Sequence, residues 1–160
     1  MDRGQLYYLP NARDPKQKAE MAEMEKLGIC IFCPESLVYE GEPRHVLVTH
    51  ELGDCRAKEI LLENNTWVVL RNEYPYDGTL IHVMLVPRRH IARQDELSPE
   101  EMADYLEILE LAVDRFDLPA YSLWSRNGDP SRTGATIYHL HMQLAVGDPD
   151  SSQRVVAYLS

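Results

Sequence analysis

One stretch constrains this chain more than any other: Gly134-Ala135-Thr136-Ile137-Tyr138-His139-Leu140-His141-Met142-Gln143-Leu144. Side chains alternate across a strand, so Tyr138, Leu140, Met142, Leu144 and Val146 share one face suited to a core. His139, His141 and Gln143 line the other face, about 7 Å apart at each second position. Taken alone, that second face has two readings. It borders a site, or it is the solvated side of a half-buried strand where two imidazoles fell by chance. A strand with one apolar face needs a layer to cover it, and 160 residues with 44% apolar side chains supply one domain's core.

The remaining pattern predicts that layer. Asp14-Pro15 reads as an N-cap followed by proline at the first helical position, and Lys16 to Leu27 are good helix formers that stop at Gly28. With Met21, Met24 and Leu27 as its main large apolar residues, this helix is expected on the surface. Residues 1–28 then form an arm and surface helix, and residues 29–160 the main domain. His45 to His50, Glu59 to Glu63, Trp67 to Leu70, Leu80 to Val86, Tyr121 to Arg126, Thr136 to Val146 and Arg154 to Leu159 read as strands, with a turn at Glu51 to Asp54. Ser98-Pro99-Glu100-Glu101 is a capping box ahead of Met102, Tyr105, Leu106, Leu109, Val113 and Phe116 at helical spacing. The expected class is α+β: an antiparallel sheet of about five or more strands, one long helix and the shorter N-terminal helix.

Sixteen basic against 26 acidic side chains leave a net charge of −10, which excludes a broad basic surface for nucleic-acid polymers or anionic membranes. No run approaches the ~18 apolar residues of a membrane span. Met1-Asp2-Arg3-Gly4 lacks a signal peptide's apolar core, so a soluble cytoplasmic protein is expected. Cys30-Ile31-Phe32-Cys33 has spacing that suits a metal better than a disulfide; free thiols are the other reading. Cys55, in a predicted turn, has no partner at metal spacing.

His139-Leu140-His141-Met142-Gln143-Leu144-Ala145 resembles the signature of the histidine-triad (HIT) family. Ile81-His82-Val83-Met84-Leu85-Val86-Pro87-Arg88-Arg89-His90 resembles the family's upstream strand, with Ile81 where a Gly is usual. Tyr74-Pro75-Tyr76 is similar to the turn before that strand, and Cys30-Ile31-Phe32-Cys33 to the motif of a zinc-bearing bacterial branch. Together these cover roughly residues 29–147.

The resemblance implies a HIT-like fold and chemistry at the α-phosphate of a nucleoside phosphate. His141 would be the nucleophile, forming a nucleotidyl-imidazole. His82 would flank the phosphate. Thr136 would contact the α-phosphate oxygens, Gly134 would let the backbone approach, Asn72 would contact the ribose, and Asn127 resembles the nucleotide-binding Asn of the family's second phosphate-side loop. Ala135 stands where a Gln is usual. Gln143 replaces the His of the hydrolase branch; an amide donates hydrogen bonds but is no general acid near neutral pH. In this it is similar to the nucleotidyltransferase members, the dinucleoside-polyphosphate phosphorylases and galactose-1-phosphate uridylyltransferase. The implied activity is therefore nucleotidyl transfer or phosphorolysis, dinucleoside polyphosphates favoured, with phosphate as acceptor. A HIT-type hydrolase and a zinc-stabilised nucleotide-binding protein without turnover are the alternatives. Cys30, Cys33, His90 and His139 would hold a structural zinc, a homodimer is implied, and Arg88, Arg89, Arg126 and Arg132 are candidate cations near the phosphates.

Overall fold

The computed structural model describes residues 4–159; Met1 to Arg3, the start of the predicted arm, and Ser160 lie outside them. Its centre is a strand with no polar face. β5 (Trp67–Arg71) has Trp67, Val68, Val69 and Leu70 all fully buried. A continuous apolar run of this kind needs cover on both sides, and the chain supplies it with two apolar layers. Val68 and Leu70, with Met84 and Val86, face Met21, Met24, Ile31 and Phe32 on one side. Trp67, Val69, Val83 and Leu85 face Tyr105, Ile108 and Ala112 on the other.

The strands around β5 form a six-stranded sheet. β1 (Leu37–Tyr39), β4 (Lys58–Glu63), β5, β6 (Thr79–Pro87), β8 (Met142–Gly147) and β7 (Ser122–Ser125) lie in that spatial order. β2 (Val46–His50) and β3 (Gly53–Arg56) make a separate antiparallel hairpin. The class is α+β, as expected, but the sheet is mixed: β1, which the pattern did not reveal, joins β4 in parallel. The turn expected at Glu51 to Asp54 is shorter, because β3 begins at Gly53 and pairs back onto His50.

Two predicted strands are corrected. Regular pairing of the signature segment begins only at Met142, opposite Leu85. The residues before it bend, with one isolated bridge at Ile137, and serve three other partners. The Thr136 carbonyl accepts from the Tyr8 N–H (2.8 Å), the Tyr138 N–H donates to Leu6 (2.8 Å), and the Leu140 N–H donates to Ile91 (2.6 Å). Arg154 to Leu159 form no strand at all; this segment runs irregularly from Val155 beside Gly147 to Tyr158 and Leu159 beside Gly134.

α1 (Pro15–Leu27) is capped by Asp14, whose carboxylate accepts from the Lys16 and Gln17 N–H groups, and it ends at Gly28 in the left-handed region (φ +65°). It is not a mere surface helix. Met21 and Met24 are buried in the core, as are Leu6 and Tyr7 of the arm. Two of its three large apolar residues, Met21 and Met24, face the core, while Leu27 at its end stays exposed. Tyr7 also pins the cysteine turn, its hydroxyl donating to the Ile29 carbonyl (2.7 Å) and accepting from the Ile31 N–H (2.8 Å).

α2 (Pro99–Arg115) covers the opposite face of the sheet, and the predicted capping box is present. The Trp67 indole N–H donates to the Glu101 carbonyl (2.8 Å), fixing the helix to β5. α3 (Pro130–Thr133) is one turn, closed by Gly134. Among the described residues, no helix is long and apolar enough to cross a membrane.

Glu101 closes the capping box and takes both prongs of Arg89, at 2.9 and 2.7 Å. The Arg89 hydrogen bonds, helped by the Ser98 N–H, hold its carboxyl down to about 2 from an ordinary 4.5. A depressed carboxyl stabilises the fold above its unfolded pKa and stops doing so as pH falls through the folded value. Glu101→Gln is therefore expected to cost about 1 kcal/mol at about pH 7. Urea melts of the two proteins should converge as pH falls toward 2.

Candidate functional site

β6 and β8 place the site through their register. Opposed residues of an antiparallel pair point the same way, so Met84 opposite Gln143 brings Gln143 to the face that carries His82. This is the face away from α2. Asn72, just past β5, joins it by donating its backbone N–H to the His82 carbonyl (3.1 Å).

The polar contacts fix proton positions. The Tyr76 N–H donates to His82 Nδ1 (3.2 Å), so neutral His82 carries its proton on Nε2 and donates it to Gln143 Oε1 (2.7 Å). Asn72 Oδ1 accepts from the Tyr74 N–H (2.9 Å), which turns its amide NH₂ toward Gln143 Oε1 (3.4 Å) and the His82 ring. The Gln143 oxygen is thereby committed, and its NH₂ is left as the donor. Burial lowers the basicity of His82 despite the Gln143 bond.

His141 lies two residues before Gln143, just ahead of β8, nearly fully buried, with Nδ1 2.7 Å from the His139 carbonyl. A carbonyl only accepts, so Nδ1 bears the proton and Nε2 keeps a free lone pair. Burial pulls this imidazole's pKa down to about 4, against the Nδ1 hydrogen bond, which raises it. Phe32 packs on its ring at 5.3 Å between centroids.

His141 and Gln143 open onto a cavity of about 310 Å³, a size that suits a small molecule. Met21, Met24, Ile31 and Met84 line its apolar part; Asn72, Thr136 and Arg126 join the two catalytic candidates on the polar side. His82 stands behind this wall, stacked on Tyr76 (5.0 Å, 29°) and held to Gln143. Gly134 lies at the rim with φ +72°. Asn127 is outside the cavity lining: its carboxamide oxygen accepts from the Gln94 N–H (2.7 Å) and its NH₂ donates to Ser125 Oγ (2.9 Å). Of the candidate cations, Arg88 pairs with Glu63, Arg89 with Glu101 and Arg132 with Asp129, while Arg126 lines the cavity.

Some site residues left no mark in the sequence pattern. Glu20 is buried at the cavity wall, accepting from the Tyr74 hydroxyl (2.9 Å), and Arg13 lies over the Tyr76 ring at 4.2 Å. Both come from the N-terminal segment, and only tertiary packing brings them here. Tyr74 and Tyr76 carried a signal, the Tyr-Pro-Tyr turn, but it marked the turn and not the cavity.

Behind His141 the second predicted cluster assembles. One donor atom each of Cys30, Cys33, His90 and His139 lies within 4.8 Å of all the others. Sγ of Cys30 is 3.4 Å from His139 Nδ1, and Sγ of Cys33 is 3.3 Å from His90 Nδ1 and 3.8 Å from His139 Nδ1. Tetrahedral ligands at 2.0–2.3 Å from a common ion stand about 3.5 Å apart, so these spacings fit. His139 Nε2 lies 2.8 Å from the Pro87 carbonyl and donates to it, leaving Nδ1 unprotonated toward the thiols. The Cys30 thiol is pushed up by its hydrogen bond to Cys33 and by burial. The same bond, with His139 and His90, draws Cys33 down. Cys55 takes no part; it is buried on β3 with Sγ 3.5 Å from Met24 Sδ.

Comparison with known proteins gives the family and the fold. The family model described as HIT domain matches residues 56–149. No curated protein matches. Among solved structures, a "Hit Like Protein" is 22% identical with a TM-score of 0.50, over 57% of this chain and 87% of that one. A hypothetical protein from Leishmania major is 19% identical with a TM-score of 0.50, over 64% of this chain and 74% of its own. A HIT family hydrolase from Clostridium thermocellum is 21% identical with a TM-score of 0.48, over 62% and 86% of the respective chains. These similarities concern the fold.

Gly134 supplies a test of the rim. A Cβ there would lie 2.3 Å from the Tyr158 carbonyl oxygen, on a backbone that L side chains rarely adopt. Gly134→Ala should cost about 1–3 kcal/mol in denaturant titrations. Gly4→Ala, whose Cβ meets nothing within 4 Å, should stay close to wild type.

Proposed function

Because the chain belongs to the HIT domain family, we propose that it is an enzyme that transfers or phosphorolyses a nucleotidyl group of a nucleoside phosphate, dinucleoside polyphosphates favoured, through His141. The carrying observation is the 2.7 Å bond between His141 Nδ1 and the His139 carbonyl, which leaves Nε2 as a nucleophile on the cavity side. In the forward step Nε2 attacks the α-phosphorus. The N–P bond forms as the bond to the departing phosphate oxygen breaks, and that oxygen keeps the electron pair. An acceptor phosphate oxygen then attacks the same phosphorus and returns the electron pair to Nε2. The Gln143 NH₂ and Thr136 stabilise the phosphoryl oxygens, and Asn72 the ribose. Gly134 lets the backbone come close, and Asn127 supports the neighbouring loop. His82 is a positioning residue: it holds the Gln143 oxygen so that its NH₂ is presented to substrate.

Gln143 argues for phosphate over water as acceptor. Its amide has no proton to give a leaving group, so the reaction does best with phosphates as both leaving and attacking groups. The two-thiolate, two-imidazole set suits zinc, which with four protein ligands would be a structural crosslink between the cysteine turn and the sheet.

Intact-mass analysis after incubation with a dinucleoside polyphosphate should show one nucleotidyl adduct, absent in His141→Ala. With a dinucleoside tetraphosphate, nucleoside triphosphate leaves as the adduct forms, and nucleoside diphosphate should appear only with added phosphate; release of monophosphate in water alone would favour the hydrolase reading, and no adduct in wild type would overturn turnover. Elemental analysis of the purified chain should find about one zinc per chain. Cys33→Ser should lose it and melt several degrees lower.

A further inference from the structure

Among the described residues, Arg126 is a buried cation without a counter-ion. It follows β7 directly and is only 8% exposed. Arg44, Arg88 and Arg89 each meet a carboxylate, but among the described residues no acidic side chain lies within ion-pair reach of Arg126. Its Nη2 donates to two neutral oxygens, the Tyr76 hydroxyl (3.0 Å) and the Tyr158 carbonyl (2.9 Å), and its buried Nε has no partner. Burying an uncompensated charge is costly, and a guanidinium is a fork shaped for the paired oxygens of a phosphate. Arg126 also lines the cavity that holds His141 and Gln143, and Tyr76 links it to His82 by stacking.

We infer that Arg126 is a phosphate-binding residue of this cavity and that the Tyr158 carbonyl holds its place until the phosphate of a nucleoside phosphate displaces it. The inference rests on the nucleotide reading of the cavity. It adds a residue that the HIT signature does not contain, and it links occupancy to the chain around 154–159. That segment is lightly held. The Tyr158 and Leu159 side chains are 66% and 72% exposed, and it passes the sheet end where Gly78, Gly147 and Gly134 leave room. Moving it gives up backbone contacts and little apolar burial, while the arriving phosphate offers Arg126 the charge it lacks.

The test is equilibrium binding to the full chain, with the four common nucleoside 5′-monophosphates and the matching nucleosides as probes. Wild type should bind its best monophosphate at least about tenfold tighter than that nucleoside. Arg126→Met and Arg126→Gln should lose that preference and leave nucleoside affinity within about twofold; Arg126→Lys should keep part of it. Either neutral variant suffices if the other fails to fold, as judged by circular dichroism. Chymotryptic cleavage after Tyr158 should quicken when the monophosphate binds. A preference retained in the neutral variants, or lost equally for nucleoside and monophosphate, overturns the inference; unchanged cleavage overturns the displacement. Because the assay needs no turnover, absence of a His141 adduct does not affect it. Failure of wild type to bind any of the monophosphates would sink the nucleotide reading, and this inference with it.

Discussion

His139 is bonded on three sides, and the arrangement of the site follows from those bonds. Its Nε2 donates to Pro87 at the end of β6, its Nδ1 faces Cys30 and Cys33, and its carbonyl takes the proton of His141. One imidazole therefore ties the strand end to the cysteine turn and sets the tautomer of its neighbour two residues on. Hydrogen bonds made in a buried setting are strengthened by the low dielectric and penalised heavily when broken. The ring's near-complete burial thus makes the whole assembly stiff.

The sheet separates two duties. Its α2 face is packed throughout with apolar side chains, Ile108 and Leu144 being fully buried. On the other face the apolar layer of α1 and the cysteine turn covers β5 and half of β6, then gives way to His82, Gln143 and the cavity. A site needs rigid support beneath it and room above, and the two-layer arrangement provides both.

Much of this was legible in the sequence because local rules decide it. The capping box, the Asp14 cap and the Gly28 stop follow from local propensity, β5 from a continuous apolar run and the second half of the signature strand from alternation, and the four metal-ligand candidates do come together. Thr136 to His141 defeated alternation because their hydrogen bonds go to Leu6, Tyr8 and Ile91, partners more than a hundred or tens of residues away in the chain, and no period records that. Arg154 to Leu159 look apolar enough for a strand, yet no sheet edge lies free beside them: β7 and β1 are the edges, and the segment passes elsewhere. Glu20 and Arg13 enter the cavity by docking of α1 and its approach, which is a tertiary fact. The burial of Arg126 is of the same kind, since nothing in Ser125-Arg126-Asn127 distinguishes an inward arginine from a surface one.

The bond between Tyr7 and the cysteine turn gives the amino-terminal segment a status closer to a clasp than an appendage. Its hydroxyl bridges Ile29 and Ile31 while its main chain meets Ile137 and the Glu25 carboxylate. A protease cut in the loop before α1 would leave every strand of the large sheet intact on the longer fragment. It would still sever the clasp's covalent tie to α1, leaving the cysteine turn held to Tyr7 by hydrogen bonds and packing alone.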